Sequence, residues 1–187
     1  MVTPASQLKV SAAGPLSGLS VWMCVIVALG GVLAMVTLVW VWLTPSWVEA
    51  YVVPRLDLRA TTVTFDLATR LAGFAVSMMP MAVLLYMLHQ AYMLFDAFRL
   101  GNVFTADSPI RLRRIGTCMV ALAFLRPITA TLLGLTLTWN NPTGQRMLAI
   151  TMSIDDYMIA VFGGLVLAIG HVMVEAARIA DENRQIV

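Results

Sequence analysis

The sequence predicts an all-α membrane protein: a four-transmembrane-helix bundle with both termini cytoplasmic. Three observations carry that expectation. The 187 residues are 60% hydrophobic and only 12% charged, with a mean hydropathy of +0.86, whereas soluble domains carry roughly 25% charged residues. The apolar residues gather into four runs long enough to cross a bilayer. The lysines and arginines concentrate on alternate connections between those runs. A chain of this length fits one domain, and a soluble core of that size has no room for so much apolar surface. The net charge of +2 gives no whole-molecule field for nucleic acid, so no direct nucleic-acid contact is expected.

Residues 1–20 hold one charge, Lys9, and the breakers Pro4, Gly14 and Pro15, and read as a flexible arm. Residues 21–187 form the membrane domain. Val21 to Leu43 is free of charge, and its 23 residues make about 34 Å of helix, enough for a hydrocarbon core of about 30 Å. This run exceeds the ~7–15 apolar residues of a cleaved signal peptide, so it reads as a retained first span. Residues 46–70, with Pro54, three arginines and several threonines, read as an outer polar loop. The second span covers about 71–95 and contains Pro80, which lipid-embedded helices tolerate when neighbours satisfy the freed carbonyl. The third covers about 115–138. Asn140, Asn141, Pro142 and Gly144 then predict a tight turn, and the fourth span, about 151–174, continues as a polar helix to the end.

Orientation follows from the basic residues. Lys9, Arg99, Arg111, Arg113, Arg114, Arg178 and Arg184 lie on one side, and Arg55, Arg59, Arg70 and Arg146 on the other. The richer side is cytoplasmic by the positive-inside rule. Trp40, Trp42, Trp47, Trp139 and Tyr157 fall at the outer boundary, Trp22 and Tyr92 at the inner one. Ala160, Gly164 and Ala168 are small residues at helical spacing, suited to close packing of the fourth helix against a neighbour or to a homo-oligomer seam.

The candidate site residues follow from the price of charge in lipid. Arg126 sits mid-way along the third span, where insertion of arginine is unfavourable by roughly 2.5–3.5 kcal/mol. Pro127 follows it and frees the carbonyl of Ala123. Arg126 therefore either braces that kink or binds an anion or relays charge. Asp155 and Asp156 are its candidate counter-ions. Neighbouring carboxylates on a helix diverge by about 100°, so one of the two can face Arg126. The alternative is that both only mark the outer boundary. His89, His171, Cys24 and Cys118 place one potential metal or haem ligand on each helix at similar depth, but no two share a helix at short spacing. Packing is the plainer reading, and no metal or cofactor is expected. Met78, Met79, Met81, Met87 and Met93 crowd the second span as flexible packers rather than as Cu(I) ligands. No Gly-x-Ser-x-Gly, phosphate loop, His-Glu-x-x-His or Gly-x-Gly-x-x-Gly occurs, so the chain does not read as an enzyme.

The cytoplasmic connection is the most structured soluble feature. Gly101 suits a helix C-terminus, Phe104 can turn back onto apolar surface, and Thr105 or Ser108 can cap a new helix with Pro109 in its first turn. Arg111, Arg113 and Arg114 then sit at the bilayer surface, either against anionic lipid headgroups or as a docking surface for an acidic partner. Glu175 and Arg178 begin a second candidate surface that continues through Asp181 and Glu182.

Three stretches carry a family resemblance: Phe98–Gly116, then Leu125-Arg126-Pro127, then Glu175-Ala176-Ala177-Arg178 with Asp181-Glu182-Asn183. Together they resemble domain of unknown function 2975, a family of bacterial four-span membrane proteins, over most of residues 20–187. His89, His171 and the methionine-rich second span are not part of that pattern. The resemblance implies an inner-membrane protein without a defined activity, often encoded beside a small helix-turn-helix regulator. It therefore implies a partner-binding protein that restrains or signals to that regulator. Two other functions fit the sequence: a small oligomeric transporter or channel using Arg126 and Asp155 or Asp156, and an accessory subunit that binds other membrane subunits.

Overall fold

A computed structural model describes residues 15–56, 66–100, 107–139, 141 and 152–184. Four long helices account for most of them: α1 (Pro15–Leu43), α2 (Leu67–Arg99), α3 (Asp107–Leu137) and α4 (Ile154–Arg184). All four are long and apolar enough to cross a membrane.

The helices overrun the apolar runs from which they are read. Helix α1 begins at Pro15, inside the stretch read as an arm, because proline's fixed φ suits a first helical turn. Helix α2 begins at Leu67 rather than 71, where the Asp66 side chain accepts the Leu67 N–H at 2.8 Å, and it runs on to Arg99. Helix α3 takes in Arg111, Arg113 and Arg114, so the basic cluster belongs to its first turns. Helix α4 starts at Ile154 instead of 151 and continues to Arg184, well past the expected membrane boundary. Pro80 and Pro127 both sit inside unbroken helices. Gly101, Phe104, Thr105 and most of the 140–144 turn lie outside the described residues.

The chain after α1 is more ordered than a polar loop. Thr44 is extended, as expected of a residue before proline. A helical turn at Pro45–Trp47, a π turn at Val48–Val52 and a 3-10 turn at Pro54–Leu56 follow. Trp47 stacks on Tyr51 with ring centroids 5.0 Å apart. Val48, Trp42 and Leu137 form a small buried cluster with Val52, Phe74 and Leu133 against it. It joins the C-terminal ends of α1 and α3 to the N-terminal part of α2.

The arrangement differs from a closed bundle. Helix α1 packs on α2, α2 on α3, and α3 on α4, while α1 and α4 share no extensive contact among the described residues. The spans form an antiparallel row, with α1 and α4 at its edges. The α1–α2 contact is built around Trp42. Its indole N–H donates to Ser77 Oγ at 3.2 Å, and its ring covers Gly73. A Cβ on Gly73 would lie 1.9 Å from a ring carbon of that buried indole. Gly73→Ala is therefore expected to displace Trp42 and destabilise the protein by about 1–3 kcal/mol, the usual range for overpacking. Thermal unfolding in detergent, with a change in tryptophan emission, checks this.

Candidate functional site

The last two helices hold the one ion pair that links two spans among the described residues. Arg126 Nη1 lies 3.0 Å from Asp156 Oδ1. The Asp156 side chain is buried, 6% exposed, whereas that of Arg126 is 48% exposed. The contact is one of charge, without a well-aimed N–H on Oδ1. Arg126 thus reaches a neighbouring helix rather than the carbonyl freed by Pro127. Of the two candidate counter-ions, Asp156 is paired and Asp155 is exposed.

Local sequence explains why Asp156 is held so firmly. Ser153 precedes α4, and its Oγ accepts the Asp155 N–H at 3.2 Å. Asp156 Oδ2 accepts the Ser153 N–H at 3.1 Å in return. The pattern Ser-x-x-Asp acts as a variant of the capping box, the serine hydroxyl taking the Asp155 amide and the Asp156 carboxylate taking the Ser153 amide, so that two orphan amides at the helix start are satisfied. The partial positive charge of that helix end also favours the carboxylate. One oxygen of Asp156 therefore serves its own helix and the other serves Arg126.

The register between α3 and α4 is set by glycines. A Cβ on Gly116 would lie 2.5 Å from Leu167 N, and one on Gly163 would lie 2.7 Å from Met119 Cβ. One on Gly170 would lie 2.8 Å from Arg113 N. Gly116 and Gly170 meet backbone atoms, and Gly163 meets a Cβ and the Val120 amide nitrogen, approaches that a side chain would prevent. The stripe read from sequence, Ala160, Gly164 and Ala168, is not this seam: Gly164 faces open space. The seam uses Gly163 and Gly170, seven residues apart, facing Gly116.

Carried along at 1.5 Å per residue, the seam places Arg126 about 18 Å from Arg114 and about 16 Å from Leu137. By that measure the pair lies well inside the apolar length of α3. Thr129 and Thr131, one turn further, donate back to Leu125 O and Pro127 O at 2.6 and 2.9 Å, so their hydroxyls are satisfied within α3.

The other candidates are spread out. Cys24 and Cys118 are buried and free, and Cys24 Sγ donates to Tyr92 O at 3.8 Å. His89 is exposed, and His171 Nδ1 lies 2.9 Å from Leu167 O. No three His, Cys, Asp or Glu side chains converge among the described residues, because each of these four sits on a different helix and two of them face outward. Met79 and Met93 are exposed on α2 and Met78, Met81 and Met87 are half-buried. Arg113 and Arg114 are exposed at the start of α3 and Arg111 is half-buried. Glu175 and Arg178 form an exposed ion pair on α4.

Sequence reading missed a second cross-helix arginine. Arg70, taken as an outer boundary charge, donates from Nε and Nη2 to Trp42 O at 3.0 and 2.8 Å, and from Nη2 to Leu43 O. It caps the C-terminus of α1, whose last carbonyls have no partner of their own. The signal was present in Pro45, which ends α1 and leaves those carbonyls open.

Four apolar spans, of which the last two are locked by a buried carboxylate and an arginine, define a multi-pass α-helical membrane protein. The chain belongs to the family described as Protein of unknown function (DUF2975), whose model matches residues 40–187. The match covers most of residues 20–187, from the end of α1 onward, and contains the whole α3–α4 site. No curated protein and no solved structure matches the chain.

Proposed function

We infer that this DUF2975 protein is a non-enzymatic anchor in the bacterial inner membrane, with both termini cytoplasmic. It holds a small helix-turn-helix regulator at the membrane through the start of α3 and the end of α4. The observation that carries this reading is the offset of those two helices. Gly170 packs on Arg113, so the first residue of α3 lies level with about residue 176. Helix α4 continues to Arg184, projecting about 12 Å further. That projection leaves the membrane beside Arg111, Arg113 and Arg114, none of which has an ion-pair partner among the described residues. A polar helix next to unpaired arginines suits an acidic protein surface.

A solute path is the rival reading. Two grooves of about 220 and 260 Å³ lie between α1 and α2, and neither is lined by Arg126, Asp155 or Asp156. The anchor reading is therefore preferred.

The test uses the full chain in nanodiscs and any small helix-turn-helix protein encoded in its gene neighbourhood. Wild type should bind, and Arg111→Glu, Arg113→Glu and Arg114→Glu together should weaken binding at least tenfold. Removal of residues 177–187 should do the same. Equal affinities would exclude this surface, and absence of binding by wild type would exclude the anchor reading.

A further inference from the structure

The Arg126–Asp156 contact leaves two charges incompletely matched. Nearly half of the Arg126 side chain is open, 48%. Asp155 is exposed and has no cation within reach among the described residues. Both lie at one depth, because Asp155 adjoins the residue that Arg126 touches. Apolar helix continues beyond that depth for about 16 Å of α3, through Leu137. A carboxylate facing lipid there is strongly disfavoured.

The two edges of the row differ in this respect. The exposed face of α1 carries no charge from Val21 to Leu43 and suits lipid directly. The exposed face of α4 does not. Asp155, Met158, Phe162, Leu165, Ile169 and Val172 follow one another at alternating spacings of three and four residues, and every one is exposed. That is the period of a helix–helix seam, with a single polar residue of the kind that fixes register. Helix α4 packs on α3 on one side, and no other described helix packs extensively on this face.

Copies of a membrane protein insert the same way round, so a two-fold axis between them runs along the membrane normal. Such an axis sets residues of equal depth opposite one another, and the contact is self-complementary. Arg126 and Asp155 meet that requirement. We propose that a second copy of this chain docks on the exposed face of α4, with the open side of each Arg126 reaching the partner subunit's Asp155. Two reciprocal ion pairs then close the face, and each guanidinium bridges its own Asp156 and the opposing Asp155. The bridging cations make the approach of the two Asp155 side chains tolerable.

Cysteine cross-linking in bilayers tests this. Phe162 lies two helical turns from Asp155 on the same stripe, so Phe162→Cys should form a disulfide-linked dimer on mild oxidation. The wild type is the blank, since Cys24 and Cys118 are buried. Val32→Cys, on the exposed face of α1 at the far edge, should remain monomeric. Adding Asp155→Arg to Phe162→Cys sets cations against cations and should lower the dimer yield at least tenfold. Its monomer should still fold with only a small drop in thermal midpoint, because Asp155 has no ion-pair partner among the described residues and the new cation opposes only the dipole at the start of α4. A monomeric Phe162→Cys protein overturns the proposal. So does a dimer yield indifferent to Asp155→Arg, or one matched by Val32→Cys, since each points to chance collision.

Discussion

Asp156→Asn should destabilise the fold by about 2–3 kcal/mol, the largest loss expected from any near-isosteric change in this chain. That figure lies between the ~0–1 kcal/mol of an exposed ion pair and the ~3–5 kcal/mol of a broken buried one. It falls between them because Asp156 is buried while Arg126 is half open. Asparagine keeps an oxygen for the Ser153 N–H, so the cap survives and only the charge is removed. Asp156→Ala should lose a further ~0.5–2 kcal/mol, because the capping box goes as well. Arg126→Leu alone strands a buried carboxylate, which the helix end and Ser153 still partly stabilise. Arg126→Leu combined with Asp156→Asn should recover part of the sum of the two single losses, since neither charge is then stranded. A double-mutant cycle measured by thermal or detergent-induced unfolding gives the coupling. Additivity within roughly 0.3–0.5 kcal/mol would show that the two groups do not interact. Exchanging the charges, Arg126→Asp with Asp156→Arg, should not restore stability, because a cation in the first turn of α4 opposes the helix dipole and cannot accept the Ser153 amide.

Much of the fold was legible because hydropathy is a sum over many residues. Four spans, their order and an odd charge in the third all follow from runs of twenty or more side chains. The ends were less legible, since Pro15, Asp66 and Ser153 act through single backbone amides that no average registers. The Ser153-x-x-Asp156 box was nevertheless present in the sequence. Reading it would have chosen Asp156 over Asp155, because the third residue of a helix turns back toward its cap. The row arrangement had no local signal. A charge-free α1 suits the interior of a bundle and its lipid-facing edge equally well. The seam was hidden for a related reason. Gly163 and Gly164 are neighbours in sequence and differ only in which side of α4 they face, and that is decided by α3.

That difference supports the second large prediction. Gly163→Leu and Gly116→Val should each destabilise by about 1–3 kcal/mol or more, since the atoms they meet are largely backbone and cannot turn aside. Gly164→Ala should be neutral or stabilising by up to about 1 kcal/mol, because open space receives the methyl group and the helix gains propensity. Two adjacent glycines thus give opposite signs, measured by the same unfolding assay. The seam also determines whether Arg126 meets Asp156. If α4 moves along α3 by one turn, about 5.4 Å, the guanidinium and carboxylate separate beyond reach. A bulky residue at Gly116 should therefore break the ion pair as well as the packing. Gly116→Val combined with Asp156→Asn should then fall short of the sum of the single losses by most of the ion-pair coupling. Gly73→Ala combined with Asp156→Asn should stay additive, because that clash lies in the α1–α2 contact at the other edge of the row. Additivity in both combinations would mean that α3 and α4 keep their register without the glycines, and that the pair forms independently of the seam.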